Sequence, residues 1–81
     1  MHWDVVTVKP LANFCIDVNL RDGSHGIFDM TPYLDLGVFQ ELRDPAYFNC
    51  VGVQFHAVTW PNGQDIAPET LHARLNSAQS L

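Results

Sequence analysis

The chain has 81 residues and a mass of 9.1 kDa, with 47% apolar residues and four Lys or Arg against nine Asp or Glu, a formal charge of −5. A chain this short buries only about 60% of the surface its unfolded form exposes, so one thin core held by a few large side chains is expected. A two-domain enzyme with an interdomain cleft is excluded, and any active site would sit on the surface of a single domain spanning residues 1–81, its core over 3–75.

The basic residues Lys9, Arg21, Arg43 and Arg74 stand singly among carboxylates. A phosphate-binding surface would cluster them to release counterions, so direct nucleic-acid binding is not expected. The same negative field repels anionic lipid and favours basic partners or plain solubility. No apolar run approaches the roughly 20 residues that span a bilayer, and Met1-His2-Trp3-Asp4 lacks a basic region followed by a hydrophobic stretch. A soluble, cytoplasmic protein with no membrane contact is the expectation. Cys15 and Cys50 form no CxxC motif and read as two reduced thiols, with a single disulfide as the alternative.

Asp4 to Lys9 is β-branched and predicts a first strand that stops at Pro10, which lacks a ladder donor. A second strand alternates cleanly, with Phe14, Ile16, Val18 and Leu20 on one face and Cys15, Asp17, Asn19 and Arg21 on the wetter one. Arg21-Asp22-Gly23-Ser24 predicts a turn with Gly23 at positive φ, and His25 to Asp29 the returning strand. Thr31-Pro32 has the chemistry of a helix start, with Thr31 as cap and Gly37 as the stop; Asp44-Pro45 repeats the cap-and-proline pattern. Tyr33, Leu34, Phe39, Leu42 and Phe48 are expected to form a lid over the apolar face of the sheet.

Val51, Val53 and Phe55 alternate, and then the inward parity passes to Val58 and Trp60. Strand periodicity is two, so this parity change requires a bulge or a tight turn near Gln54-Phe55-His56-Ala57, and a hairpin is the favoured reading. Pro61-Asn62-Gly63 turns the chain, Asp65-Ile66 is briefly extended, and Pro68 opens a last helix with Leu71 and Leu75 on one stripe. Asn76 to Leu81 is expected to fray. These elements predict an α+β fold: a small antiparallel sheet of four to five strands with short helices packed on one face.

Four ordered stretches carry a resemblance. Leu20-Arg21-Asp22-Gly23, Phe28 through Leu34, Gly37 through Asp44, and Trp60 through Ile66 followed by Pro68-Glu69-Thr70-Leu71 together resemble the bacterial domain-of-unknown-function family 2442, over residues 3 to 75. The resemblance implies a compact α+β domain similar to one that precedes a helix-turn-helix in some members. It also implies stand-alone members encoded in two-gene units, some reminiscent of toxin and antitoxin pairs. It brings no catalytic residues to carry over. The chain departs from the family pattern at Gln54-Phe55-His56, where relatives often have Gly or Asp, and no helix-turn-helix follows Leu75.

Candidate chemistry is sparse. Asp65, Glu69 and His72 could offer oxygen and nitrogen ligands to a metal, since Glu69 and His72 share a helix face; against this, a carboxylate in a first helical turn serves capping equally well. His25 and His56 could do acid–base work with Asp22 or Asp29 if they met, but ordinary surface histidines are the stronger reading. Cys50 with His56 could make a nucleophile and base pair, although a core thiol is favoured. The Trp60 to Asp65 turn is the densest segment: Trp60 fills the core or its edge, Pro61 fixes φ, Gly63 supplies a left-handed position, and Asp65 can bond local amides. Trp60, Asn62, Gly63 and Asp65 are also the candidate interaction surface, together with an edge strand at Asp4 to Lys9. The function expected is a non-enzymatic interaction or regulatory domain without cofactor, acting as a homo-oligomer or beside another small protein. The alternative is a small metal-dependent hydrolase built on Asp65, Glu69 and His72.

Overall fold

The computed structural model describes the backbone of residues 3–79, with side chains through Leu75. It is an α+β fold of two antiparallel three-stranded sheets with short helices. The first sheet has the order β1 (Val5–Leu11), β2 (Cys15–Leu20), β3 (His25–Asp29). After two 3-10 segments, Thr31–Tyr33 and Gly37–Arg43, and the single-turn helix α1 (Pro45–Phe48), the second sheet follows as β4 (Gly52–Gln54), β5 (Ala57–Thr59) and β6 (Asp65–Ile66). The helix α2 (Pro68–Gln79) closes the chain. It continues past Asn76, where fraying is expected, and the remainder of that tail, residues 80–81, lies outside the described residues.

The alternation in β2 is realised: Ile16, Val18 and Leu20 are buried, and their neighbours face outward. Phe14 is no strand residue. It sits at φ 60 after Asn13 at φ 62, in the connection from β1 to β2, and its ring packs edge-on against Phe48 at 5.5 Å between centroids. β1 also runs further than expected, through Pro10 to Leu11, with Pro10 opposite Ile16. The reason lies in the pairing. Bonds from Leu20 N–H to Ser24 O and from Met30 N–H to Phe14 O bracket the β2–β3 hairpin, so Ile16 and Val18 bond toward β3 while Cys15, Asp17 and Asn19 bond toward β1. Pro10 thus occupies a position whose nitrogen faces away from the ladder, and its missing donor costs no bond.

Two of the hairpins use one turn design. In each a carbonyl (Leu20, Trp60) accepts from the glycine N–H three residues on, and the same residue's N–H donates to the carbonyl of the residue after that glycine (Ser24, Gln64). Gly23 and Gly63 stand at φ 93 and 98, the left-handed step that a tight turn followed by a bulge requires. The β4–β5 hairpin confirms the parity change, with Val53 opposite Val58 and Phe55-His56 as the two-residue turn. Phe55 does not point inward as the alternation suggests. Both turn residues have positive φ (51 and 64), the type I′ pattern, and the Phe55 side chain is 95% exposed.

Leu34, Leu42 and Phe48 are buried, with Tyr33 and Phe39 packed beside them, so the lid forms as expected. Its details differ from the expected capping. Thr31 does not cap its turn; the Asp29 carboxylate accepts from both its N–H (2.9 Å) and its hydroxyl (2.7 Å). Gly37 opens the second 3-10 segment instead of closing the first. Asp44 does cap α1, accepting from the Ala46 N–H at 3.1 Å. Leu71 and Leu75 bury the inner stripe of α2 against the first sheet, where Gly26 matters: a Cβ there would stand 2.9 Å from Leu75 Cδ2. The sheets meet where the Val5 N–H donates to the His56 carbonyl at 3.0 Å.

Left-handed conformations cost a side-chain-bearing residue about 1–2 kcal/mol, so the Phe55-His56 turn is the most strained connection in the second sheet. Replacing it with Asn-Gly (Phe55→Asn with His56→Gly) is expected to raise unfolding stability by about 1–2 kcal/mol. Urea denaturation of the two proteins checks this, and an unchanged or lowered midpoint would contradict the strain.

Candidate functional site

The Trp60 to Asp65 turn is where the structure concentrates polar side-chain contacts. Trp60 takes the core role: it is 1% exposed, lies 5.8 Å from the Phe48 ring between centroids, and donates its indole N–H to the Phe48 carbonyl at 2.9 Å. Of the candidate interaction residues, Asn62, Gly63 and Asp65 reach solvent, and Trp60 supports them from beneath. Asp65 pairs through its backbone with Thr59.

The central residue of this region is Gln64, which the sequence reading passed over. Its side chain is the sole buried polar one among the described residues, at 4% exposure. Its amide donates to Val38 O (3.0 Å) and to Glu41 Oε1 (2.8 Å), while its Oε1 accepts from the Tyr47 hydroxyl at 2.6 Å. The Tyr47 oxygen accepts in turn from the Asn62 N–H at 2.8 Å, and the Asn62 amide donates to Glu41 Oε2. Two of the stretches that carry the family resemblance, Gly37 to Asp44 and Trp60 to Ile66, are therefore locked together, with Tyr47 between them. A glutamine next to a turn glycine is an unremarkable pattern in sequence, and only the return of the 3-10 segment over the turn reveals its role. Every buried polar side-chain atom among the described residues is satisfied, as a low-dielectric interior demands.

The proposed metal triplet does not assemble. Among the described residues no group of three or more His, Cys, Asp or Glu side chains could hold a metal ion. Asp65 and Glu69 are exposed, whereas His72 is drawn to the other side: its Nε2 stands 3.2 Å from Asp22 Oδ2, and its ring stacks on Trp3 at 4.5 Å. Helix spacing alone placed Glu69 and His72 together, and the competing carboxylate on the β2–β3 turn decides where the imidazole goes. The other pairings fall out similarly. Asp22 meets His72 rather than His25 or His56, Asp29 is engaged by Thr31, and His56 Nδ1 stands 3.8 Å from Asp4. Cys50 is exposed, with its thiol directed to the Ala46 carbonyl, and so is not a core thiol; both cysteines are free.

The Ser24 N–H beside Asp22 holds that carboxyl below its usual range, aided by His72 and opposed by partial desolvation. Asp29 is lowered from its ordinary 3.8 by the Thr31 N–H, then by the Thr31 hydroxyl, with Arg74 adding a little. Two clefts among the described residues offer little chemistry. The larger, about 410 Å³, lies between the β1–β2 connection and α1 and is lined by Pro10 to Phe14, Pro45, Phe48 and Asn49, none of them titratable. The other, about 240 Å³, runs beside β4 and carries the Cys50 thiol.

The site is thus a hydrogen-bonded clasp on a small two-sheet α+β domain. Residues 5–77 match the family described as Protein of unknown function (DUF2442), and the chain belongs to that family. No curated protein and no solved structure matches it. No helix among the described residues is long and apolar enough to cross a membrane.

Removing Gln64 strands two acceptors and a hydroxyl. Gln64→Leu is expected to cost about 2 kcal/mol and Tyr47→Phe about 1 kcal/mol, with the double variant losing less than the sum because the two share one network. Chemical denaturation of the three variants tests this, and strict additivity would refute the coupling. Acid sensitivity follows from the carboxyls. Their folded pKa values lie below the unfolded ones, so their contribution is complete above the ordinary carboxylate range of about 4 and disappears as pH falls through the lower folded values. Asp29→Ala is expected to cost about 1 kcal/mol at pH 7 and to lose less further stability on acidification than wild type, read as unfolding midpoint against pH.

Proposed function

We propose that this chain is a non-enzymatic interaction or regulatory domain that works against another protein surface, either a second copy of itself or another small protein. The observation that carries this is Phe55. A phenylalanine ring 95% exposed on a left-handed turn position gives the isolated chain neither burial nor backbone comfort. Conformational strain persists where it positions something, and an aromatic anchor presented on a rigid hairpin is a common centre of binding energy. Charge of −5 disfavours nucleic acid and steers basic partner surfaces toward the chain. The two-gene units that encode some members of the resembled family make a neighbouring small protein a candidate.

Native mass spectrometry of the untagged protein, purified gently from its source, is the direct test. The expected result is a multiple of the 9.1 kDa chain or that chain with a second small protein. Phe55→Ser is expected to weaken that association at least tenfold, a hot-spot-sized effect of about 1.4 kcal/mol or more, while leaving the unfolding midpoint no lower than wild type. A lone monomer with a measurable turnover activity would overturn the reading.

A further inference from the structure

β3 is an outer strand of the first sheet, and its ladder to β2 engages only Gly26 and Phe28 within the strand. The N–H and C=O groups of His25, Ile27 and Asp29 point the other way, and among the described residues no other strand takes them. The side chains of these three residues lie on the outer face of the sheet, where Ile27 is 63% exposed.

We infer that β3 pairs with β3 of a second copy of this chain, antiparallel and centred on Ile27, joining two three-stranded sheets into one of six strands. This rests on the interaction reading above and assigns it a surface separate from Phe55.

The register follows from self-complementarity, since a two-fold contact requires the strand to match its own reverse. Centred on Ile27, the two isoleucines face each other, and His25 of each copy faces Asp29 of the other. Imidazole thus meets carboxylate on both sides of an apolar pair. Asp29 Oδ1 is occupied by Thr31, which fixes the carboxylate and leaves Oδ2 for the incoming imidazole N–H. Other registers fail. Centring on Asp29 sets two carboxylates against each other, centring on His25 sets Ile27 against Gly23, and a shift of one residue would present backbone groups already bonded to β2.

The opposite edge of the same sheet shows what a guarded strand looks like. β1 carries an extra residue at Val6 that breaks its register, an outward Lys9, and Pro10, and the β4–β5 hairpin bonds to its start. Bulge, lysine, proline and cover are the devices that stop sheets from adding strands. β3 has none of the first three, and α2 packs on its inner face, with Leu75 against Gly26. Five residues a side is small beside the roughly 800 Å² per partner of a stable interface, so the pairing is weak and concentration-dependent.

The test is sedimentation equilibrium of the whole chain over a wide concentration range at physiological ionic strength, with amide hydrogen exchange read at Ile27. A reversible dimer whose formation slows exchange at Ile27 is expected. Ile27→Lys, which sets two ammonium groups against each other, should abolish it, and His25→Glu should weaken it roughly tenfold. Both positions are exposed, so the unfolding midpoint of each variant should stay near wild type, and His25→Glu serves if Ile27→Lys does not fold. A chain monomeric at every concentration, or a dimer with unprotected Ile27 and insensitive to both variants, overturns the β3 pairing. Association that persists through Phe55 in that case leaves the interaction reading standing, whereas loss of all association removes both.

Discussion

The second sheet has three strands of two or three residues each, and the burial of Trp60 fixes it to the rest of the chain. The indole fills the space beside Phe48, and its N–H finds the Phe48 carbonyl, so the apolar and polar halves of the ring are both satisfied by α1. Gln64 adds the orientation. Packing alone would tolerate small rotations of the turn, but an amide that must meet Val38, Glu41 and Tyr47 at once permits a single pose. The domain is assembled around that one tryptophan and held in register by that one glutamine.

Strand patterns and turn residues were legible because they are local. The alternation in β2, the span of β3, the Asp44 cap, the two glycine turns and the Leu71–Leu75 stripe each depend on neighbours a few residues away, and each is found. What escaped was decided at long range. The division into two sheets turns on how β1 meets the β4–β5 hairpin, and Pro10 remains in β1 because of which side of the strand the ladder uses. The site followed the same rule. Trp60 announced itself by size, while Gln64 depended on a segment more than twenty residues earlier folding back over it. His72 looked available beside Glu69 until Asp22, from another hairpin, claimed it.

The segments that carry the family resemblance acquire a physical meaning from this arrangement. Leu20 to Gly23 and Trp60 to Gly63 are the same turn used twice, Asp29 to Tyr33 is a carboxylate-capped 3-10 turn, and Gly37 to Asp44 supplies partners to Gln64. They specify the shape of the domain. The apolar side chains that face outward, Phe55 and Ile27, lie outside those structural joints and differ from them in kind, since they leave apolar surface exposed in the isolated chain.

The twin glycine turns also bear on how the chain reaches this shape. Each closes a hairpin between adjacent segments, an event on the microsecond scale that needs little loop entropy. The bond between Val5 and His56 is of the opposite kind, joining points separated by most of the chain, so closing it costs more loop entropy than either turn. The contact that joins the first strand to the strained hairpin is thus the one that ties the two sheets across the sequence, while each glycine turn ties only neighbouring segments.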